Sequence, residues 1–148
     1  MKYFIISALL LLVLSCSNIT YKAVHIKTQT IRYTIEDDSL VIKKHFEKNN
    51  LAEFPLNKDQ IIEFNNIIYE IDVQSLKQSY RNRAVMDGLK ISFVFETLND
   101  STYSQASNCY VEKLGRIIDF VNSLIIDNDL KIMYTEDMKE YIGSEDCE

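Results

Sequence analysis

Two hydrophobic spacings, arranged in two successive rounds, restrict this chain more than any other feature. In each round, segments whose apolar residues recur every second position precede one in which they recur at three and four. Alternation marks a strand with one buried face, and three–four spacing marks a helix with one buried stripe. In the first round Val24 and Ile26 alternate with polar neighbours. After Thr30 the parity moves to Ile31, Tyr33 and Ile35. A one-residue switch turns the other face inward, so a bulge or turn belongs at 27–30. The polar turn 36–39 leads to Leu40, Ile42 and Phe46, completing a hairpin, and 49–55 reads as a connection. Asn57 can then cap a helix with Gln60 as its reciprocal partner and Leu56 stapled onto Ile61. Its stripe is Ile61, Phe64, Ile68 and Ile71, its end lies near Asp72, and a looser piece runs over 73–83.

The second round follows the punctuation at 86–88. Ile91, Phe93 and Phe95 alternate, 98–101 is a turn, and 102–106 returns. A second helix is expected from near Asn108, with Val111, Leu114, Ile118, Val121 and Ile125 as its stripe. Tyr110, Ile117, Phe120 and Leu124 widen it. Residues 127–129 end it, and a short strand at 130–134 and a helix at 136–142 are expected after it. The order is β-β-α-β-β-α. The predicted fold class is α+β: a single domain with one antiparallel sheet and two amphipathic helices packed on one face.

The start of the chain follows a different pattern. Lys2 and the amino terminus are positive, and residues 3–14 are apolar but for Ser7. About 12 apolar residues fall short of the roughly 18–20 that span a bilayer, so the stretch reads as a removable export signal. It closes on Val13-Leu14-Ser15-Cys16. That segment resembles the lipobox of bacterial lipoproteins, with a branched residue three before the cysteine and a small one before it. Leu14 is bulkier than usual at its place. The resemblance covers only the first 16 or so residues. It implies diacylglycerol on the Cys16 sulfur, cleavage before Cys16 and acylation of the new amino terminus. An ordinary signal peptide with a coincidental cysteine, or an uncut anchor, is the alternative. The expected organisation is a signal peptide at 1–15, a lipidated tether at 16–20 and one domain at 21–148. Each buried methylene adds roughly 0.8 kcal/mol of membrane affinity, so several acyl chains hold such a domain firmly. Ser17 and Asn18 follow the cysteine in place of aspartate or an acidic run. By the family's sorting rule that implies the periplasmic face of the outer membrane. The mature domain is similar in size and pattern to small lipoproteins of Gram-negative bacteria, without pointing to a named family among them.

Cleavage would leave about 133 of the 148 residues, enough for one core. The formal charge of −6 disfavours nucleic acid and anionic lipid as non-specific partners. Gly88, Gly115 and Gly143 are too scattered to cradle phosphates. With Cys16 taken by lipid, Cys109 and Cys147 remain, and an even pair in an oxidising compartment suggests a disulfide. Closing nearly 40 residues would stabilise the fold by roughly 3–4.7 kcal/mol in the chain-entropy model. Two independent thiols are the alternative.

Chemistry-bearing motifs are scarce. His25 and His45 are the only histidines, both expected opposite the core, and neither has a zinc-ligand spacing around it. Asp127-Asn128-Asp129 opens like a calcium loop, but Ile132 and Met138 stand where glycine and glutamate are needed. Lys77, Arg81 and Arg83 form a small basic cluster able to receive a carboxylate or phosphate, or simply to solvate a surface, with Arg83 near Asp87. Cys109 with a histidine as a nucleophile pair conflicts with its pairing to Cys147. No catalytic residues, metal or cofactor other than the covalent lipid are therefore expected. The expected function is a non-catalytic binding or structural module, anchored in the membrane and facing another envelope protein. An immunity lipoprotein against a toxin acting in the periplasm, or a small envelope hydrolase, are the alternatives.

Overall fold

A computed structural model describes residues 20–83, 88–134 and 147. Among them, seven strands form one mixed sheet: β1 (Ala23–Lys27), β2 (Ile31–Glu36), β3 (Ser39–Lys44), β4 (Ala52–Pro55), β5 (Tyr80–Arg81), β6 (Lys90–Glu96) and β7 (Ser101–Ser107). Two α-helices accompany them, α1 (Lys58–Ile71) and α2 (Glu112–Leu124). The spatial order is β4-β3-β2-β1-β6-β7-β5. The protein is a mixed α/β single domain with a more elaborate sheet than two hairpins would give.

The first three strands follow their alternation. The parity switch is a turn between β1 and β2, which pair Lys27 with Arg32 and Ala23 with Glu36. The β2–β3 turn is tight, closing Glu36 on Ser39 through Asp37 and Asp38. Asp37 takes the left-handed backbone at φ 53° that such a turn requires. Val24, Ile26, Tyr33, Ile35, Leu40, Ile42, Ile91, Phe93 and Phe95 share one core with the stripes of both helices. The helix α1 begins as its sequence dictates. The Asn57 side chain accepts from the Gln60 amide and the Gln60 side chain accepts from the Asn57 amide, and Asp72 ends the helix in a left-handed conformation.

Several expectations are corrected. The connection at 49–55 contains β4, which pairs with β3 as an edge strand. Pro55 ends it, as proline is tolerated at an edge. Phe46 is fully exposed, since β3 stops at Lys44 before the alternation reaches it. The looser piece holds a 3-10 turn, Val73–Ser75, and then β5. Because β5 runs parallel to β7, the sheet is not antiparallel throughout. The chain reaches that edge from β4 at the opposite one, so α1 lies on a crossover between the two edges. The helix α2 starts at Glu112, not near Asn108. Asn108 has φ 53°, and Cys109 and Tyr110 are buried ahead of the helix. Residues 130–134 form no strand in the sheet, although Ile132 and Tyr134 are buried. The expected signal peptide, the lipobox with Cys16, the punctuation at 86–87 and the helix at 136–142 lie outside the described residues.

Candidate functional site

Strand residues alternate, so what the sheet does not give to the core it presents on the opposite face. Both helical stripes belong to the core side, leaving that opposite face uncovered among the described residues. Register sorts it into rows across β3, β2, β1 and β6. Nearest the start of β1 lie Ser39, Glu36, Ala23 and Glu96. The middle row is Val41, Thr34, His25 and Val94, extended to Tyr103 on β7 and to the exposed Glu53 on β4. The far row is Lys43, Arg32, Lys27 and Ser92.

The charge on this face is segregated by row. At the near end Asp37 and Asp38 add to the two glutamates, and Lys22 reaches Glu36 at 3.7 Å. At the far end Lys43 stands directly opposite Arg32, and Arg32 opposite Lys27. Like charges facing each other across strands oppose folding, by about a few tenths of a kcal/mol each. A shallow concavity of about 310 Å³ lies between the two ends, bordered by His25, Thr34, Val41, Arg32, Lys43 and Asp38.

His25 links the rows. Its Nδ1 lies 3.0 Å from Thr34 Oγ1, and its Nε2 lies 3.2 Å from Glu96 Oε1. Hydroxyl, imidazole and carboxylate in that order resemble a nucleophile, base and orienting acid. The strand backbone around it does not complete such a site. Acyl transfer needs donors aimed at the developing oxyanion. The N–H groups of β1 and β2 lie in the sheet plane and are committed to neighbouring strands, so they do not point at a carbonyl above Thr34. The arrangement is suited to holding three polar side chains in fixed positions on an open surface.

Other concavities lie beside the core, two of them next to α1. A groove of about 690 Å³ between the helices is lined by Asp59, Glu63 and Glu70 of α1 and by Arg116 and Asp119 of α2, with Arg116 bridging to Glu70. A cleft of about 320 Å³ at the start of β1 lies among Tyr21, Val24, Leu56, Phe64 and Leu98.

The residues singled out in the sequence are dispersed. Cys109 and Cys147 are bridged with Cα atoms 5.7 Å apart, inside the range a disulfide spans. Lys77 is exposed, its ammonium 5.8 Å from the centre of the Tyr80 ring. Its amide donates to the Tyr80 hydroxyl at 3.0 Å. Arg81 lies on the edge strand β5, and Arg83 is exposed just beyond it. His45 stands at the end of β3, its Nε2 2.8 Å from the Thr28 carbonyl oxygen, and away from the middle row. Asp127 caps a 3-10 turn by accepting from the Asp129 amide. Among the described residues no three His, Cys, Asp or Glu side chains are grouped to hold a metal, and no helix is long and apolar enough to cross a membrane. Compared with family models, curated proteins and solved structures, the chain matches none.

Sequence reasoning missed the basic row and the His25 network, although all of the row and half of the network were legible. A hairpin centred on Gln29–Thr30 pairs Lys27 with Arg32 and His25 with Thr34, and one centred on Asp37–Asp38 adds Lys43. Glu96 was not legible, because the pairing of β1 with β6 is made across about 70 residues of chain.

Proposed function

We propose that the protein is a lipid-anchored, non-catalytic binding module of the bacterial periplasm, with the uncovered sheet face as its contact surface. The observation that carries this reading is the half-covered sheet. One side is closed by two helices, and the other offers polar side chains held in place on an open surface. The lipobox resemblance at Val13–Cys16 supports the anchor, and the start of β1 at Ala23 supports a short tether. A lipidated Cys16 would attach the membrane close to the central strand, concentrating the face near a component of the envelope. The acyl chains are the only covalent group this reading needs.

The test is Cys16→Ser in the full chain, expressed with a labelled fatty acid. Lipid labelling should vanish and the domain should leave the membrane fraction. A variant processed and retained like the wild type would overturn the anchor.

A further inference from the structure

We propose that the far row of the open face, Lys43, Arg32 and Lys27, binds a linear polyanion whose phosphate groups recur along its length. The inference names the partner of the face proposed above and rests on that face being the binding surface. It does not depend on the anchor.

The three side chains leave consecutive strands from positions directly opposite one another. Neighbouring strands are about 4.8 Å apart, so the cations start in a line about 10 Å long, perpendicular to the strands. Ser92 and Gln105 continue that line with hydrogen-bonding side chains. Lys90 projects from the same face of β6 one step beyond it. Among the described residues none of Lys27, Arg32 and Lys43 makes an ion pair. The ion pair of Lys22 with Glu36 and the contact of His25 with Glu96 lie towards the other end. A sheet surface that served solubility alone would intersperse opposite charges, as the cross-strand rule favours. Here both opposed pairs are left like-charged at the centre of the sheet.

A row of cations with no acid directly opposite any of them is complementary to an anion, and a line of them to an extended anion with several charges. Arginine in the middle provides a planar fork that grips phosphate oxygens two at a time, with lysines as point charges on either side. The overall charge of −6 repels polyanions at long range. Binding must therefore come from the row itself, which makes single substitutions informative. The headgroups of the protein's own anchoring membrane are a poor source of the phosphates. The chain enters β1 at the acidic end, and Lys27 lies four residues further on, about 14 Å away. On the anchored reading the tether joins the face at its acidic end, and the basic row is the end away from that attachment.

The test uses the full chain in non-ionic detergent, titrated calorimetrically with linear inorganic polyphosphate at low salt. Polyphosphate should bind, and binding should weaken as salt rises. Arg32→Thr should weaken it at least tenfold and raise the melting temperature, because two like-charge oppositions disappear. Arg32→Gln serves as a second variant should threonine perturb the strand. Lys58→Thr, at the start of α1, should leave binding unchanged. Equal binding by wild type and Arg32→Thr would overturn the proposal. So would an equal loss in Lys58→Thr, which would show diffuse attraction. Orthophosphate binding as tightly as the polymer, or polyglutamate doing so, would overturn the ligand class. Cys16→Ser should still bind polyphosphate, so loss of the anchor and loss of the site are read separately.

Discussion

The buried tyrosines are where single atoms decide most. Tyr33 is only 2% exposed, and its hydroxyl donates to the Leu130 carbonyl at 2.8 Å. Its place was legible from the alternation of β2, but the bond to a residue nearly 100 positions away was not. Burial holds the phenol in its neutral form and pushes its pKa up to about 12. Burial also raises Tyr134 well above the ordinary phenol value. In the unfolded chain such phenols lose their protons near pH 10, so between about 10 and 12 the unfolded state binds fewer protons than the native one. Stability is then fully present below pH 10 and declines as pH rises through that window. Urea denaturation across pH 7–12 should show this decline. Tyr33→Phe should be less stable by about 1 kcal/mol at pH 7 and decline less steeply above pH 10. An unchanged slope in the variant would remove Tyr33 as a cause.

At the scale of elements, the two helices show what local sequence can and cannot specify. The start of α1 is written in four residues, because Asn57 and Gln60 satisfy each other's backbone amides. The start of α2 is set from outside. The Tyr134 hydroxyl accepts from the Val111 amide at 2.7 Å and donates to the Cys109 carbonyl at 2.8 Å. No periodicity announces a cap supplied 23 residues downstream. The same applies to 130–134, whose apolar alternation suggested a strand. Its backbone is instead held by side chains, Tyr33 at Leu130 and Asn122 at Ile132. Asn122 accepts from the Ile132 amide at 2.8 Å and donates to the Ile132 carbonyl at 2.9 Å. Amide to amide, Asn122 substitutes for a neighbouring strand. Asn122→Ala removes both bonds and should lower unfolding free energy by about 1–3 kcal/mol in urea denaturation. Asn122→Asp keeps the acceptor but sets a carboxylate oxygen against the Ile132 carbonyl, so it should lose at least as much. A loss below about 0.5 kcal/mol in Asn122→Ala would mean that these bonds do not hold the segment.

For the whole molecule, legibility ended where pairing became non-local. Hairpins joined by short turns could be read from parity, since each apolar run fixes its own inward face. The junction of β1 with β6 and the parallel edge strand β5 could not. The first closes a long loop, and the second, at two residues, has no alternation to read. One long-range closure was legible because it depends on residue type rather than periodicity. Cys109 precedes α2, and the chain returns twice to that point. Tyr134 bonds Cys109 and Val111 there, and Cys147 is bridged to Cys109 with its Sγ 3.7 Å from the Tyr110 carbonyl oxygen. The disulfide closes 38 residues, including all of α2, and in the chain-entropy model that constraint is worth about 4 kcal/mol against the unfolded state. Cys147→Ser should therefore lose most of that amount in chemical denaturation under oxidising conditions. Reductant should bring the wild type down to the same stability and leave the variant unmoved. If reductant leaves the wild type unchanged, the two thiols are independent, and α2 is fastened by Tyr134 and the core alone.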